Sequence, residues 1–298
     1  MINFKSVLLS DKKTIDAYLL GNNYRACDFC FTNIFSWQAR FETTFSIEQN
    51  TLFIRYKDIA GELCYTMPIG KLPLEKSLSL ILKDAEENNI PFVMKGITLE
   101  MWNEIQKVMP DFFQVTHDKN NDEYIYLSEK LIHLNGKKLQ SKRNHINRFK
   151  KDYPDWNYFT LSSKDELDEC SDMLDTWEKL NPNKIETSLW HDYIATKAML
   201  ENFHYLELRG GAIRVNGKIV AFTIGEQLVK DTFVIHVEKA YSGMNGAYTI
   251  INQQFAENEA STFQYINREE DMGLEHLRQA KQSYYPEILL QEHILTLK

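Results

Sequence analysis

Asn267, Glu269, Asp271, Arg278 and Lys281 fall in one short stretch, Tyr265 to Pro286, which reads YINREEDMGLEHLRQAKQSYYP. An amide, two carboxylates, a guanidinium and an amine are a set that can carry out a direct acyl transfer. Asn267 can hydrogen-bond an acyl carbonyl or amide. Glu269 or Asp271 can hold the amino group of a donor or take a proton from an acceptor. Arg278 and Lys281, about one helical turn apart, can meet a phosphate or the charge that develops on a carbonyl oxygen. A structural reading competes: acids before a helix suit its dipole. It covers Glu269, Glu270 and Asp271 better than it covers Arg278 and Lys281. Tyr284 and Tyr285 read as core packing.

A second feature could hold an anion. The strand from Thr232 to Glu238 leads through Lys239 and the loop AYSGMNGAY into a helix. Gly243 and Gly246 would let the backbone approach a ligand, and the helix N-terminus offers N–H groups. A tight strand-to-helix turn is the plainer alternative. The matching loop in the first half, MPIGKLPLEK, carries two prolines, which remove donors. The working site is therefore expected in the second half or in the cleft between the two halves.

A third feature is GKKLQSKRNHINRFKK, Gly136 to Lys151, with seven Lys or Arg and no acid on a chain of net charge −8. Leu139, Ile146 and Phe149 form a narrow apolar stripe. Lys142, Arg143, His145 and Arg148 would project from the other faces and could grip a polyanion, such as a tRNA acceptor stem, a phospholipid headgroup or the phosphates of CoA. The alternative is a solvated amphipathic helix between domains.

The elements that must position these residues read twice in one order. Each half gives two helices, a hairpin, a strand, a helix, a strand, a helix and a strand. The hairpins turn at Gln49-Asn50 and Asn216-Gly217, the second a type I′ signal. Ser163 and Glu166 form a capping box for a helix carrying Leu167, Cys170, Leu174 and Trp177 on one face. RACDFCFTNIFSW reads as a helix with Cys27, Cys30, Ile34 and Trp37 near one face. An internal duplication is the economical account. The order resembles that of the GNAT acyltransferase fold. The expected fold class is α+β, with two tandem GNAT (acyl-CoA N-acyltransferase-like) domains, each a mixed, mostly antiparallel sheet flanked by helices. The expected boundaries are 1–130, a basic linker helix over 131–160, and a second domain over 161–298 that carries the site.

Composition narrows the classes. The chain has 298 residues with 43% hydrophobic and 26% charged, the balance of a globular protein. No apolar run reaches the roughly 18–20 residues of a membrane span, and the N-terminus lacks a signal-peptide pattern, so a cytoplasmic location is expected. One CxxC, Cys27 and Cys30, has no second ligand pair. Cys27, Cys30, Cys64 and Cys170 are expected to be buried structural thiols, and no metal is expected. There is no GxxxxGK[ST], HExxH or GxSxG pattern.

The stretch at Asn267 resembles the most characteristic segment of the phosphatidylglycerol lysyltransferase C-terminal family, through Asn267, Glu270, Asp271, Gly273, Leu277, Arg278, Lys281, Ser283, Tyr284 and Pro286. DFCFTNIFSW, SKRNHINRF and KAYSGMNGAY resemble the family's other blocks in the same order, so the resemblance spans nearly the whole chain. It implies tandem GNAT folds that move an amino acid from aminoacyl-tRNA onto a lipid. Full lysyltransferases of this kind carry a membrane domain ahead of the catalytic part, which this chain lacks, so a soluble acceptor is equally allowed. Related peptidoglycan-bridge enzymes also use charged tRNA on such a scaffold.

The expected function is therefore acyl or aminoacyl transfer by direct attack on a bound donor. Aminoacyl-tRNA or acyl-CoA would be the co-substrate, with no tightly bound cofactor. The acceptor would be a phospholipid headgroup or a small molecule. The rival expectations are an acetyl-CoA-dependent N-acetyltransferase and a non-catalytic scaffold that binds polyanions. The oligomeric state is left open.

Overall fold

The structure, a computed structural model, describes residues 2–180 and 187–298. The strands run β1 Lys5–Ser6, β2 Thr44–Glu48, β3 Thr51–Lys57, β4 Leu63–Tyr65, β5 Ile69–Gly70, β6 Val93–Thr98, β7 Phe113–His117 and β8 Glu123–Leu127. They continue with β9 Asn157–Thr160, β10 Arg209–Val215, β11 Lys218–Val229, β12 Thr232–Ala240, β13 Tyr265–Asn267, β14 Ile288–Leu290 and β15 Glu292–Leu297. The helices of the first half are α1 Lys12–Leu19, α2 Phe31–Ser36, α3 Gln38–Phe41, α4 Leu74–Glu87, α5 Leu99–Val108 and α6 Ser128–His133. Those of the second are α7 Gln140–Asp152, α8 Lys164–Lys179, α9 Thr187–Glu201, α10 Ala247–Glu259 and α11 Glu275–Gln282.

Local signals place most of these elements. Gln49 and Asn50 take φ of 49° and 57°, and Asn216 and Gly217 take 50° and 75°. These left-handed pairs close the β2–β3 and β10–β11 hairpins with a twist that suits the strands. Ser163 Oγ accepts the Glu166 N–H at 3.3 Å, and the Glu166 carboxylate accepts the Ser163 N–H at 2.9 Å, so the capping box starts α8.

The chain divides into two units. The first runs to Glu123 and takes in Glu270–Leu274 and Leu289–Lys298; the second is Tyr124–Glu269 with Glu275–Ile288. Sheet 1 has the order β1-β2-β3-β4-β6-β15-β7, with β5 paired to β3, and sheet 2, read from its other edge, has the order β9-β10-β11-β12-β13-β8-β14. In both, an antiparallel run leads to one parallel pair, β4–β6 or β12–β13, followed by an antiparallel one. The duplication seen in the sequence is thus a duplication of sheet topology, and the fold is α+β with two GNAT-like sheets. The sixth place in each sheet is filled from the opposite half of the sequence: β15 in sheet 1 and β8 in sheet 2. A division into continuous stretches of 1–130 and 161–298 misses this exchange, because β8 and β15 close equivalent halves and look alike as strings of residues.

Two further expectations need correction. The segment over 131–160 is a core element of the second unit: Leu139, Ile146 and Phe149 pack in one cluster with Ala247, Ile250, Ile251 and Phe255. The CxxC segment is broken where a continuous helix was expected. A 3-10 turn spans Cys27–Phe29, and Cys30 is extended, with φ −128° and ψ 147°, before α2 begins. The four cysteines are buried and are not joined in disulfides.

Candidate functional site

The site in the second unit begins with an irregularity in β12. Its parallel pairing with β13 covers only Thr232, Phe233 and Val234, so β12 runs on to Ala240 without that neighbour. Against β11, Val237 faces Ile224 while Ile235 faces Gly225. His236 is the extra residue of a β-bulge, a feature that re-aims side chains near sites. Gly225 permits it, since a Cβ there would lie 2.6 Å from the Phe233 ring.

The length of β12 beyond β13 carries three polar residues in an apolar strand. The His236 side chain is fully buried, with Nδ1 2.8 Å from Glu269 and Nε2 3.0 Å from Glu226. Glu238 meets the Arg268 guanidinium at 3.0 Å and accepts from Asn252 Nδ2 at 3.0 Å. Lys239 pairs with Asp192 at 2.5 Å and lies 4.4 Å over the Trp177 ring.

Glu238 and Arg268 form the centre of a wider cluster. Arg268 stacks 4.9 Å from the Tyr284 ring and 5.7 Å from Tyr126. Lys142 of α7 also meets this ring, its Nζ 4.0 Å over Tyr284. Burial and the Arg268 charge bring the Lys142 amine down to about 8, so part of it is neutral near physiological pH. Tyr284 is hydrogen-bonded to Thr249, and burial pushes its phenol up to about 12. Arg268 Nη1, Asn252 Oδ1 and Thr223 Oγ1 are buried with no hydrogen-bond partner among the described residues, and Thr223 lies directly across from Glu238. Buried polar atoms left unmatched beside a charge pair are costly, which marks this cluster as built for more than packing. It holds a carboxylate, a guanidinium able to polarise a carbonyl, and an amine able to accept a proton.

The residues singled out from sequence have other surroundings. Asn267 is fully buried and accepts the Glu269 N–H at 2.8 Å. Glu269 holds His236. Lys281 donates to the carbonyl oxygens of Arg268 and Glu269 at 2.5 and 3.1 Å, which fixes the end of β13. Arg278 Nη1 is 4.0 Å from Glu275. Asp271 belongs to the first unit, where its fully buried carboxylate accepts the Gly273 N–H at 2.9 Å and closes a turn. Asn267 and Lys281 thus hold the backbone at the end of β13, where Arg268 follows.

The anion loop and the basic strip have their own local partners. Gly246 has φ 90°, and a Cβ there would collide with the His145 carbonyl and lie 3.1 Å from Phe149 Cβ. It is glycine so that α7 can pack on α10. Around Gly243 there is open space. Ala247 N–H, at the start of α10, is bonded to Met244 O at 3.1 Å, and the Lys239 charge is engaged by Asp192. On α7, Arg143 donates to the carbonyls of Leu134 and Gly136 and to Gln140. His145 meets Asn245 at 3.0 Å, and Arg148 pairs with Asp152 at 2.5 Å. Lys142 turns inward. Arg143 and His145 thus engage neighbours in their own fold, while Arg148 stays largely exposed beside Asp152.

Glu238, Asn252 and His236 escaped sequence reasoning, although a carboxylate and a histidine inside the apolar run TFVIHVEKA were a usable signal. Arg268 stood in the quoted stretch and was passed over. In the first unit, Glu123 accepts the Cys27 N–H with both oxygens, at 3.0 and 3.1 Å. Glu292, Asp28 and Glu270 lie around it, and burial together with Asp28 and Glu123 raises the Glu292 carboxyl well above its usual range.

The two GNAT-like sheets, together with the family match that follows, indicate a lysylphosphatidylglycerol synthase-like, GNAT-related acyltransferase. The family model described as phosphatidylglycerol lysyltransferase, C-terminal, matches residues 23–295. The chain belongs to that family. Among solved structures, a conserved protein of unknown function from Bacteroides thetaiotaomicron VPI-5482 is 39% identical over 100% of both chains, with a TM-score of 0.93. L-PGS from Bacillus licheniformis is 16% identical, covering 97% of this chain and 92% of that one, with a TM-score of 0.66. The C-terminal domain of a putative lysylphosphatidylglycerol synthetase from Agrobacterium fabrum is 12% identical over 96% and 90%, with a TM-score of 0.65. A curated relative, an uncharacterized protein of Mycoplasmoides gallisepticum, is 22% identical over 184 residues, and the chain spans 58% of its length. Among the described residues no helix is long and apolar enough to cross a membrane.

Proposed function

We propose that the protein transfers an aminoacyl group from aminoacyl-tRNA to the hydroxyl or amine of a lipid or small acceptor, and that Arg268, Lys142, Glu238 and Tyr284 surround the reacting carbonyl. The observation that carries this reading is the pairing of a partly neutral amine, Lys142, with a guanidinium that has an uncommitted buried donor, Arg268 Nη1. Family membership supports the donor class.

In this reading the acceptor oxygen or nitrogen bonds to the ester carbonyl carbon, and its proton passes to Lys142. Arg268 donates to the carbonyl oxygen as it becomes negative. The ester bond to the donor's ribose then breaks, and the ribose oxygen recovers the proton from Lys142. Glu238 keeps Arg268 oriented. The crowded start of α10 and the engagement of Lys239 by Asp192 weigh against acyl-CoA as donor.

The test is a transfer assay with a tRNA pool charged with radiolabelled amino acids, phosphatidylglycerol vesicles or a primary amine as acceptor, and labelled acetyl-CoA as rival donor. The wild type is expected to discharge tRNA onto an acceptor. Arg268→Lys and Lys142→Met are expected to be slower by about 100-fold. Stable charged tRNA with every acceptor, or transfer from acetyl-CoA alone, overturns the reading.

A further inference from the structure

Tyr284 and Tyr285 are consecutive, and each carries a lysine on its ring. Lys142 covers Tyr284 from within the fold, whereas Lys138 lies 5.0 Å over the Tyr285 ring. Tyr285 is 42% exposed and sits at φ 56°, a left-handed conformation that a bulky residue keeps only when its surroundings hold it there. The hold is visible: Lys130 Nζ donates to the Tyr285 carbonyl at 2.8 Å and pairs with Glu287 at 3.3 Å. Beside this ring opens a cavity of about 440 Å³, lined also by His133, Lys138 and Glu129. That volume falls within the roughly 300–1,000 Å³ range of small-ligand pockets.

A helix dipole accounts for Lys130 and His133 at the end of α6. It does not account for a large aromatic ring fixed in solvent under a cation. An exposed ring flanked by cations is how proteins receive a nucleotide, with the base stacked on the ring and the phosphate met by the charges. We propose that this cavity binds a nucleotide, its base on Tyr285 and its phosphate between Lys138 and His133, with Glu129 disfavouring more highly charged anions.

The inference rests on the transferase reading in one respect. A nucleotide seated on Tyr285 lies one residue away from Tyr284 and the Arg268 cluster, where a nucleotide-borne acyl group has to arrive. The same chemistry could come from the single-stranded end of an RNA or from a free nucleotide.

The experiment measures binding without transfer. Fluorescence anisotropy follows a labelled five-nucleotide single-stranded RNA on the full chain, with 3′,5′-ADP and inorganic phosphate as competitors. The RNA is expected to bind with salt-dependent affinity. Tyr285→Phe is expected to bind as the wild type does, whereas Tyr285→Ala and Lys138→Glu lose about tenfold or more. Competition by 3′,5′-ADP at concentrations far below those of phosphate supports the nucleotide site and, by its strength relative to RNA, identifies the source. Tyr285→Ala binding as tightly as wild type, or phosphate competing as well as 3′,5′-ADP, overturns the inference. Binding that follows these variants in a protein that never discharges tRNA would leave the nucleotide site standing and remove the transfer reading.

Discussion

Arg268 and Glu238 are 30 residues apart in sequence and meet at 3.0 Å, with side chains 11% and 14% exposed. Two charges withdrawn this far from water are held by each other, by Asn252 on the acid, and by the rings of Tyr284 and Tyr126 on the base.

Removing one partner therefore costs more than removing both. Arg268→Met leaves a buried carboxylate uncompensated and should lower stability by about 3 kcal/mol. Glu238→Gln combined with Arg268→Met should recover most of that loss. Urea unfolding of the two single variants and the double variant decides this; additive losses would show that the residues do not act as a pair.

Lys142 sets a pH dependence whose sign is fixed. Its folded pKa, about 8, lies below the ordinary lysine value of 10.5. Between those values the unfolded chain holds a proton that the folded chain has released, so stability rises with pH across that window. Lys142→Met should flatten the rise. The transfer rate should climb about tenfold per pH unit below 8 and level off above it. Carbon NMR of the reductively methylated protein reads the amine's titration directly.

Glu292 acts in the opposite direction. Burial first, and then Asp28 and Glu123, raise its folded pKa well above the ordinary glutamate value of 4.5. Above 4.5 the folded chain keeps a proton that the unfolded chain has lost, so stability falls as pH rises towards the folded pKa. Glu292→Gln should melt at nearly constant temperature from pH 5 to pH 8, whereas the wild type melts lower at pH 8. Identical pH profiles would place the strain elsewhere.

The two glycines of the β12–α10 loop should differ sharply. Gly246→Ala imposes both a left-handed φ and a collision with the His145 carbonyl, and should cost about 1–3 kcal/mol. Gly243→Ala meets open space and should stay within about 0.5 kcal/mol of wild type. Thermal melts of the two variants are sufficient.

Local signals in the sequence carried the fold a long way. Asn216-Gly217 and the Ser163–Glu166 box are each decided by residues a few positions apart, and each stands where it was expected. The site depends on longer-range relations. Whether Glu238 meets Arg268, or whether Lys142 faces solvent or Tyr284, depends on how α7 packs and where β13 stops pairing. Neither is encoded in spacing. Spacing likewise does not show that a Cβ at Gly246 would meet the His145 carbonyl, or that Arg143 donates to the carbonyl of Leu134.

The exchange of β8 and β15 has a consequence for synthesis. The Val93–Thr98 strand pairs with Glu292–Leu297, so sheet 1 stays interrupted until every strand of sheet 2 has been synthesised. During that interval β6 and β7 present bare edges, which invite intermolecular pairing. A fragment cut after the first repeat would be trapped in that condition permanently. Sheet 1 thus waits for a strand made after all the strands of sheet 2.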